Sequence, residues 1–231
     1  MPNFLTAQVV DNQLLSDKYR QLVLQPSQPF AFVPGQYLSL RVAPDRLNNY
    51  SIASLPEEQN IRLLVDTTPA GTGSRYIASL QAGEQVEFLG PLGNFVIHPE
   101  DNSQHVLFVA TGSGIAPFRP MVTAYLEQVT PEVKVELYWG LRFINHLFWQ
   151  EYWQALSDNY ANFDYQIVLS QPEEDWQGLT GRVTDWLKTD WQVLLPTSAY
   201  LCGNQLMIKQ VKQILLDKGV AADKIYFEEF W

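Results

Sequence analysis

At 231 residues the chain has room for one large domain or two small ones with a sizeable core. Its 46% hydrophobic and 17% charged composition excludes a disordered chain, and a formal charge of −10 excludes a nucleic-acid binder, whose phosphates must be met by clustered Lys and Arg. The single cysteine, Cys202, excludes an internal disulfide framework and any cysteine-ligated iron–sulfur cluster within the chain. His98, His105 and His146 lie without ligand spacing, so no metal site is expected. The start, MPNFLTAQVVDNQLLS, lacks the basic end and apolar block of a signal peptide, and no apolar run is long enough for a membrane span. A cytoplasmic location is the expectation.

In chain order, residues 4 to 97 read as β-structure. Leu5 to Val10, Tyr19 to Leu24, Tyr37 to Val42, Ile61 to Val65 and Gln85 to Leu89 are short runs separated by turn formers such as Pro34-Gly35 and Ala82-Gly83. That spacing predicts a barrel or a sandwich. The polar segment His98 to Gln104, with Pro99, Glu100, Asp101 and Asn102, marks a boundary near residue 100, giving domains at 1–100 and 101–231. Beyond it, strand candidates at Val106 to Val109, Val133 to Trp139, Tyr165 to Leu169 and Ala199 to Cys202 alternate with helices near 117–129, 147–157, 181–188 and 204–218. Such alternation predicts a parallel sheet covered by helices.

The stretch Val106 to Phe118, VLFVATGSGIAPF, joins an apolar strand to a glycine-rich turn. Gly112 and Gly114 allow positive φ and close approach of a flat ring, while Thr111 and Ser113 offer hydroxyls. A helix starting near Pro117 would aim its free N–H groups at a bound anion. The turn reads equally as a nucleotide site or as a plain strand-to-helix connection. Seven Trp and eleven Tyr fill cores in most proteins, but the supply also suits a protein that holds a flat cofactor.

Further local sequences stand in a telling order: Asn48-Asn49-Tyr50-Ser51, Gly71-Thr72-Gly73-Ser74, Gly90-Pro91-Leu92-Gly93-Asn94-Phe95, the turn from Thr111, Cys202-Gly203-Asn204-Gln205-Leu206-Met207, and Phe227-Glu228-Glu229-Phe230. Together they resemble the ferredoxin–NADP reductase superfamily, most closely its compact bacterial NAD(P)H:flavin reductases and the reductase modules of ring-hydroxylating oxygenases. The resemblance implies an antiparallel flavin-binding β-barrel followed by a parallel-sheet α/β domain for the nicotinamide nucleotide. It implies that Tyr50 packs on the isoalloxazine, that Ser51 bonds near its N5, and that Gly71, Gly73 and Ser74 cradle the flavin phosphate with Arg75 close by. The family's arginine before this Tyr-Ser pair is replaced by Asn48, so either Arg46 substitutes from two residues earlier or the phosphate is held weakly. Gly90 to Phe95 would close the barrel below the flavin.

For the second domain the resemblance places Gly112, Ser113, Gly114 and Pro117 against the nicotinamide ribose and diphosphate, with Thr111 beside them. It sets Cys202, with Gly203 and Met207, on the nicotinamide side, while Arg142, at the end of a strand where ligands of open parallel sheets collect, reads either as a diphosphate contact or as a surface salt bridge. Glu228 would return toward Ser51, with Phe230 or Trp231 shielding the flavin. The catalytic set is then Ser51, Cys202 and Glu228, and the reaction is hydride transfer from NAD(P)H to flavin. No arginine directly follows Ser170, which favours NADH, although Arg182 is nearby. Flavin, as FAD or FMN, is either an exchangeable substrate or a bound FAD whose electrons pass to a separate ferredoxin, rubredoxin or oxygenase. A silent nucleotide-binding subunit is the remaining alternative. The sequence does not fix an oligomeric state.

Overall fold

The computed structural model describes residues 4–68, 70–98 and 101–230, with Phe230 described by its backbone alone. Pro69, Pro99, Glu100 and Trp231, all named above or adjoining the motifs above, lie outside the described residues, as does the Phe230 side chain. Packing divides the chain into two units, one formed by 1–97 with 116–124 and the other by 98–115 with 125–231.

The first unit holds β1 (Leu5–Leu14), β2 (Tyr19–Pro26), β3 (Tyr37–Ala43), β4 (Arg46–Ser51), β5 (Ile61–Asp66), α1 (Thr72–Ser79) and β6 (Gln85–Leu92). The strands pair antiparallel in the order β4-β3-β6-β1-β2-β5, and a bridge from Ile52 to Leu63 joins the two edges. The sheet therefore closes on itself as the expected barrel, around Ala7, Val9, Leu22, Leu24, Leu38, Leu40 and their neighbours. Two elements depart from the sequence expectation. Residues 46–51, too polar to stand out as a strand, form β4 because an edge strand needs only one partner and can keep polar side chains. Residues 72–79, whose Thr-Gly-Ser start reads as a loop, form α1, held by Ile77, which is buried in the barrel core.

The second unit contributes β7 (His105–Thr111), followed by a single 3-10 turn over Gly112–Ile115. Then come α2 (Phe118–Leu126), of which residues 118–124 belong to the first unit, β8 (Lys134–Leu141), α3 (Gln150–Asn159), β9 (Phe163–Leu169) and the two-residue β10 (Leu179–Thr180). The chain ends with α4 (Val183–Thr189), β11 (Thr197–Asn204), α5 (Gln205–Asp217) and β12 (Ile225–Phe230). The strands are all parallel, in the order β10-β9-β8-β7-β11-β12. The order reverses direction at β7, so the carboxyl ends of β7 and β11 flank a topological switch point, where ligands of open α/β sheets bind. The predicted helices occur, with shifted ends. The third starts at Gln150 and not at 147, because Trp149 sits at φ 54, a left-handed conformation that cannot continue a helix backwards.

At the amino end of the same sheet, neighbouring β7 and β8 bury a polar cluster. His105 Nε2 lies 2.8 Å from Glu136 Oε2, the Trp191 indole N–H donates to that oxygen at 2.9 Å, and the Lys134 ammonium stands on Oε1. Burial pushes the Glu136 carboxyl up, but hydrogen bonds from His105, Lys134 and Trp191 outweigh it and bring the pKa down to about 2 from an ordinary 4.5. A group that releases its proton more readily when folded stabilises the fold above its unfolded pKa and loses that contribution as pH falls. The second unit should therefore lose stability between pH 4.5 and about 2. Glu136→Gln should flatten that acid limb and cost about 1–3 kcal/mol at neutral pH, read by urea melts across pH.

Candidate functional site

In the first unit the predicted flavin-side residues fall on one strand and one helix end. Arg46, Asn48 and Tyr50 alternate along β4 and so share a face. Asn48 links them: its Oδ1 accepts from Arg46 Nε at 3.2 Å and its Nδ2 donates to the Tyr50 hydroxyl at 3.5 Å. The Arg46 guanidinium reaches on to Thr72 Oγ1 at 3.3 Å, in the first turn of α1. Gly71 caps that helix with no side chain on the free N–H groups, and a Cβ there would meet nothing within 4 Å. Gly73 is different, because a Cβ at that position would collide with the Asn48 amide and the Tyr50 hydroxyl. The Ser74 hydroxyl donates back to the Gly71 carbonyl at 3.2 Å. An open helix amino end beside a guanidinium and a threonine hydroxyl is a donor set that fits a phosphate.

Ser51 lies on the opposite face of β4, paired with Tyr37, and is 4% exposed. Tyr50 is half-buried against the barrel core. Burial raises its hydroxyl above the ordinary value, against the Asn48 hydrogen bond and the Arg46 charge.

In the second unit the glycine turn is fitted to β11 backbone against backbone. Gly112 takes φ 57, and its carbonyl accepts the buried Trp139 indole N–H at 3.0 Å. A Cβ on Gly114 would run into the Cys202 carbonyl, and one on Gly203, at φ 140, would run into Thr111. The Thr111 hydroxyl accepts the Asn204 N–H at 3.2 Å. Ser113 stays half-exposed, while Gly114 and Pro117 are buried. Pro117 stands just before α2 and its carbonyl accepts the Met121 N–H at 3.2 Å.

Cys202 is fully buried in β11, between Ala110 of β7 and Glu228 of β12. Burial pushes its thiol well above the ordinary value, and the Glu228 charge adds to the shift. A thiol so disfavoured as thiolate suits packing and placement, not nucleophilic attack. Glu228 is half-buried, and the Phe230 backbone pairs with Asn204.

Other expected residues stand apart. Met207 is 6% exposed and belongs to the α5 face of the core. Arg142 is exposed at the end of β8, where its Nε donates to Gln171 Oε1 at 2.8 Å. Asn204 and Trp139 were not anticipated as site residues. The Asn204 Oδ1 accepts from Leu206 N at 2.9 Å and Met207 N at 3.4 Å, capping α5. An asparagine after glycine and before an apolar helical run is an N-cap signal, so that role was open to sequence reading. Trp139 carried no such signal.

Among the described residues no helix is long and apolar enough to cross a membrane. Residues 6–97 match the model of the oxidoreductase FAD-binding domain and 108–213 that of the oxidoreductase NAD-binding domain. The chain is 31% identical over 212 residues to one subunit of the Na(+)-translocating NADH-quinone reductase of Neisseria meningitidis, covering 84% of this chain and 51% of that one. With the corresponding Marinomonas protein it shares 30% over 197 residues, covering 78% and 48%. The chain thus spans about half the length of these curated relatives. Among solved structures it resembles the Amycolatopsis cytochrome P450 reductase GcoB, at 27% identity and TM-score 0.91, covering 99% of this chain and 70% of that one. A Neisseria gonorrhoeae ferredoxin NADP+ reductase with bound FAD and NADP, 22% identical over the whole of both chains, has the same fold at TM-score 0.88. With a closed antiparallel barrel matching an FAD-binding model, and a parallel sheet whose glycine turn lies inside an NAD-binding match, the chain belongs to the ferredoxin reductase-like family of FAD- and NAD-binding oxidoreductases.

Proposed function

We propose that this reductase takes its electrons from NADH and uses flavin as an exchangeable substrate. The observation that carries the reading is Asn48. It stands where the family's arginine would grip the flavin phosphate, and its own hydrogen bonds are directed to Arg46 and Tyr50. The cation beside α1 is then the exposed Arg46, whose single charge in open solvent gives weak retention. The nicotinamide supplies a hydride and the flavin accepts it when both are bound. What the protein does is orient them, each unit for its own ligand: in the first, Tyr50 offers an aromatic face and Ser51 a hydroxyl to the flavin, and in the second, Glu228 on β12 and the buried Cys202 beside it on β11 shape the nicotinamide side. The glycine turn after β7 receives the diphosphate. The preference for NADH is supported by Gln171, which follows Ser170 where a cation for an extra phosphate would stand, and by Glu173 and Glu174 in the same loop. Glu173 accepts the Ile144 N–H at 3.1 Å, holding a negative charge there.

A second reading has its own support. The P450 reductase and the quinone-reductase relatives are longer than this chain, so FAD could stay bound here while electrons pass to another protein or domain. The net charge of −10 argues against an acidic ferredoxin as that acceptor.

Desalting the purified chain separates the two readings. Loss of yellow colour, with NADH oxidation restored saturably by added riboflavin, FMN or FAD, is the expected result; retained FAD would transfer the assignment to the second. Arg46→Ala should raise the Kd for FMN and FAD about tenfold, the worth of roughly 1.4 kcal/mol, and leave riboflavin binding unchanged in fluorescence titrations. Ser51→Ala should slow flavin reduction by about 10- to 100-fold in stopped flow while NADH affinity stays within about twofold. Equal rates would remove Ser51 from the mechanism.

A further inference from the structure

Gly112 opens the turn after β7, and as a glycine it permits the peptide that follows it to face either way. The observed direction is fixed by a bond from the next strand, in which the Trp139 indole N–H donates to the Gly112 carbonyl at 3.0 Å. Trp139 stands in β8 in register with Ala110 of β7, is wholly buried, and meets Phe148 edge to face with ring centroids 4.8 Å apart. An indole has one donor and no acceptor, so a buried one must spend that donor well. Here it goes to the turn. Among the described residues the only cis peptide bond precedes Pro91, so the Gly112–Ser113 peptide is trans, with its carbonyl and its N–H pointing opposite ways. Because the carbonyl is turned inward to Trp139, the Ser113 N–H is turned away from the core, and Ser113 itself is half-exposed. A carbonyl that accepts a bond also polarises its own peptide, which strengthens the N–H as a donor.

We propose that Trp139 is a positioning residue for the dinucleotide: by holding the Gly112 carbonyl inward it presents the Ser113 N–H to the diphosphate. This rests on the assignment of the glycine turn to that diphosphate, and every residue it uses lies in the second unit. Without the indole N–H the carbonyl would be left unpaired in the interior, and a glycine places little barrier against reversing the peptide. The reversed peptide would turn a carbonyl oxygen toward the phosphate oxygens, so a charge-assisted bond would be replaced by a repulsion. The bond from Asn204 N–H to the Thr111 hydroxyl fixes the residue before Gly112 and leaves the direction of this peptide unset. Phe148 provides the internal control. It packs on the indole ring but takes no part in the bond to Gly112, so loosening it costs packing without releasing the carbonyl.

The test is isothermal titration of the full chain with ADP-ribose, which carries the diphosphate without the nicotinamide, alongside thermal melts. In the decisive variant 3-benzothienylalanine replaces Trp139, so that sulfur stands where the indole N–H was and the shape of the ring is kept. This chain should bind ADP-ribose about 10-fold more weakly than wild type, and Trp139→Phe, which also lacks the N–H, should do the same. Phe148→Leu should lower the melting temperature at least as much as the benzothienyl replacement and leave the Kd within about twofold. Wild-type affinity in the benzothienyl chain, or equal weakening in Phe148→Leu, would overturn the proposal. A wild-type chain that does not bind ADP-ribose would instead remove the assignment of the turn to the diphosphate, and the positioning role with it.

Discussion

The contact on which the nicotinamide half of this enzyme depends is between backbones. The turn after β7 and the loop after β11 approach so closely that no side chain fits between them: Gly114 lies against the Cys202 carbonyl and Gly203 against Thr111. Two further bonds set the spacing, one from Asn204 N–H to the Thr111 hydroxyl and one from the Trp139 indole to the Gly112 carbonyl. The consequence is a short polar ledge at the switch point of the sheet, built from main chain and tied down by buried groups. It keeps its shape because the main-chain contact is held by two short-reach groups, the Thr111 hydroxyl and the buried Trp139 indole.

The flavin half reaches its polar end differently. There β4, an edge strand, meets the amino end of α1, and the closeness of the two depends on Gly73 having no side chain to strike Asn48 and Tyr50. An arginine in place of Asn48 would have more atoms to lodge against that glycine. With asparagine there, the amide joins Arg46, two residues earlier on the same face, to the Tyr50 hydroxyl.

How far the sequence revealed this differs between elements for physical reasons. The parallel strands were legible because a strand buried on both faces must be an apolar run, and Val106 to Val109 is one. Residues 46–51 and 72–79 were not, since an exposed edge strand and a two-turn helix opened by glycine carry little periodicity. At the site, glycine positions were legible but their purpose was only partly so. Gly112 does adopt the positive φ expected of it, whereas the space saved at Gly114 is filled by β11 and not by a ring. No local pattern announces a partner ninety residues away. Met207 shows the same limit from the other side: spacing tied it to Cys202 and Gly203, yet its place on α5 turns it into the core.

The two ends of the parallel sheet divide the electrostatic work between them. At the amino end, Glu136 is buried with Lys134, His105 and Trp191 around it, so its charge is cancelled locally and contributes to stability. At the carboxyl end, the described bonds of the turn are carried by neutral groups: main-chain carbonyls and N–H groups, a hydroxyl and an indole. Burying a charge beside the turn would require a counter-charge, and that pair would compete with any phosphate brought to the same place. The carboxylate at the ligand end, Glu228, is only half-buried, and its charge helps keep the neighbouring Cys202 thiol protonated. In a chain with a net charge of −10, the turn after β7 is thus set by main-chain and neutral contacts, and its described bonds include no ion pair.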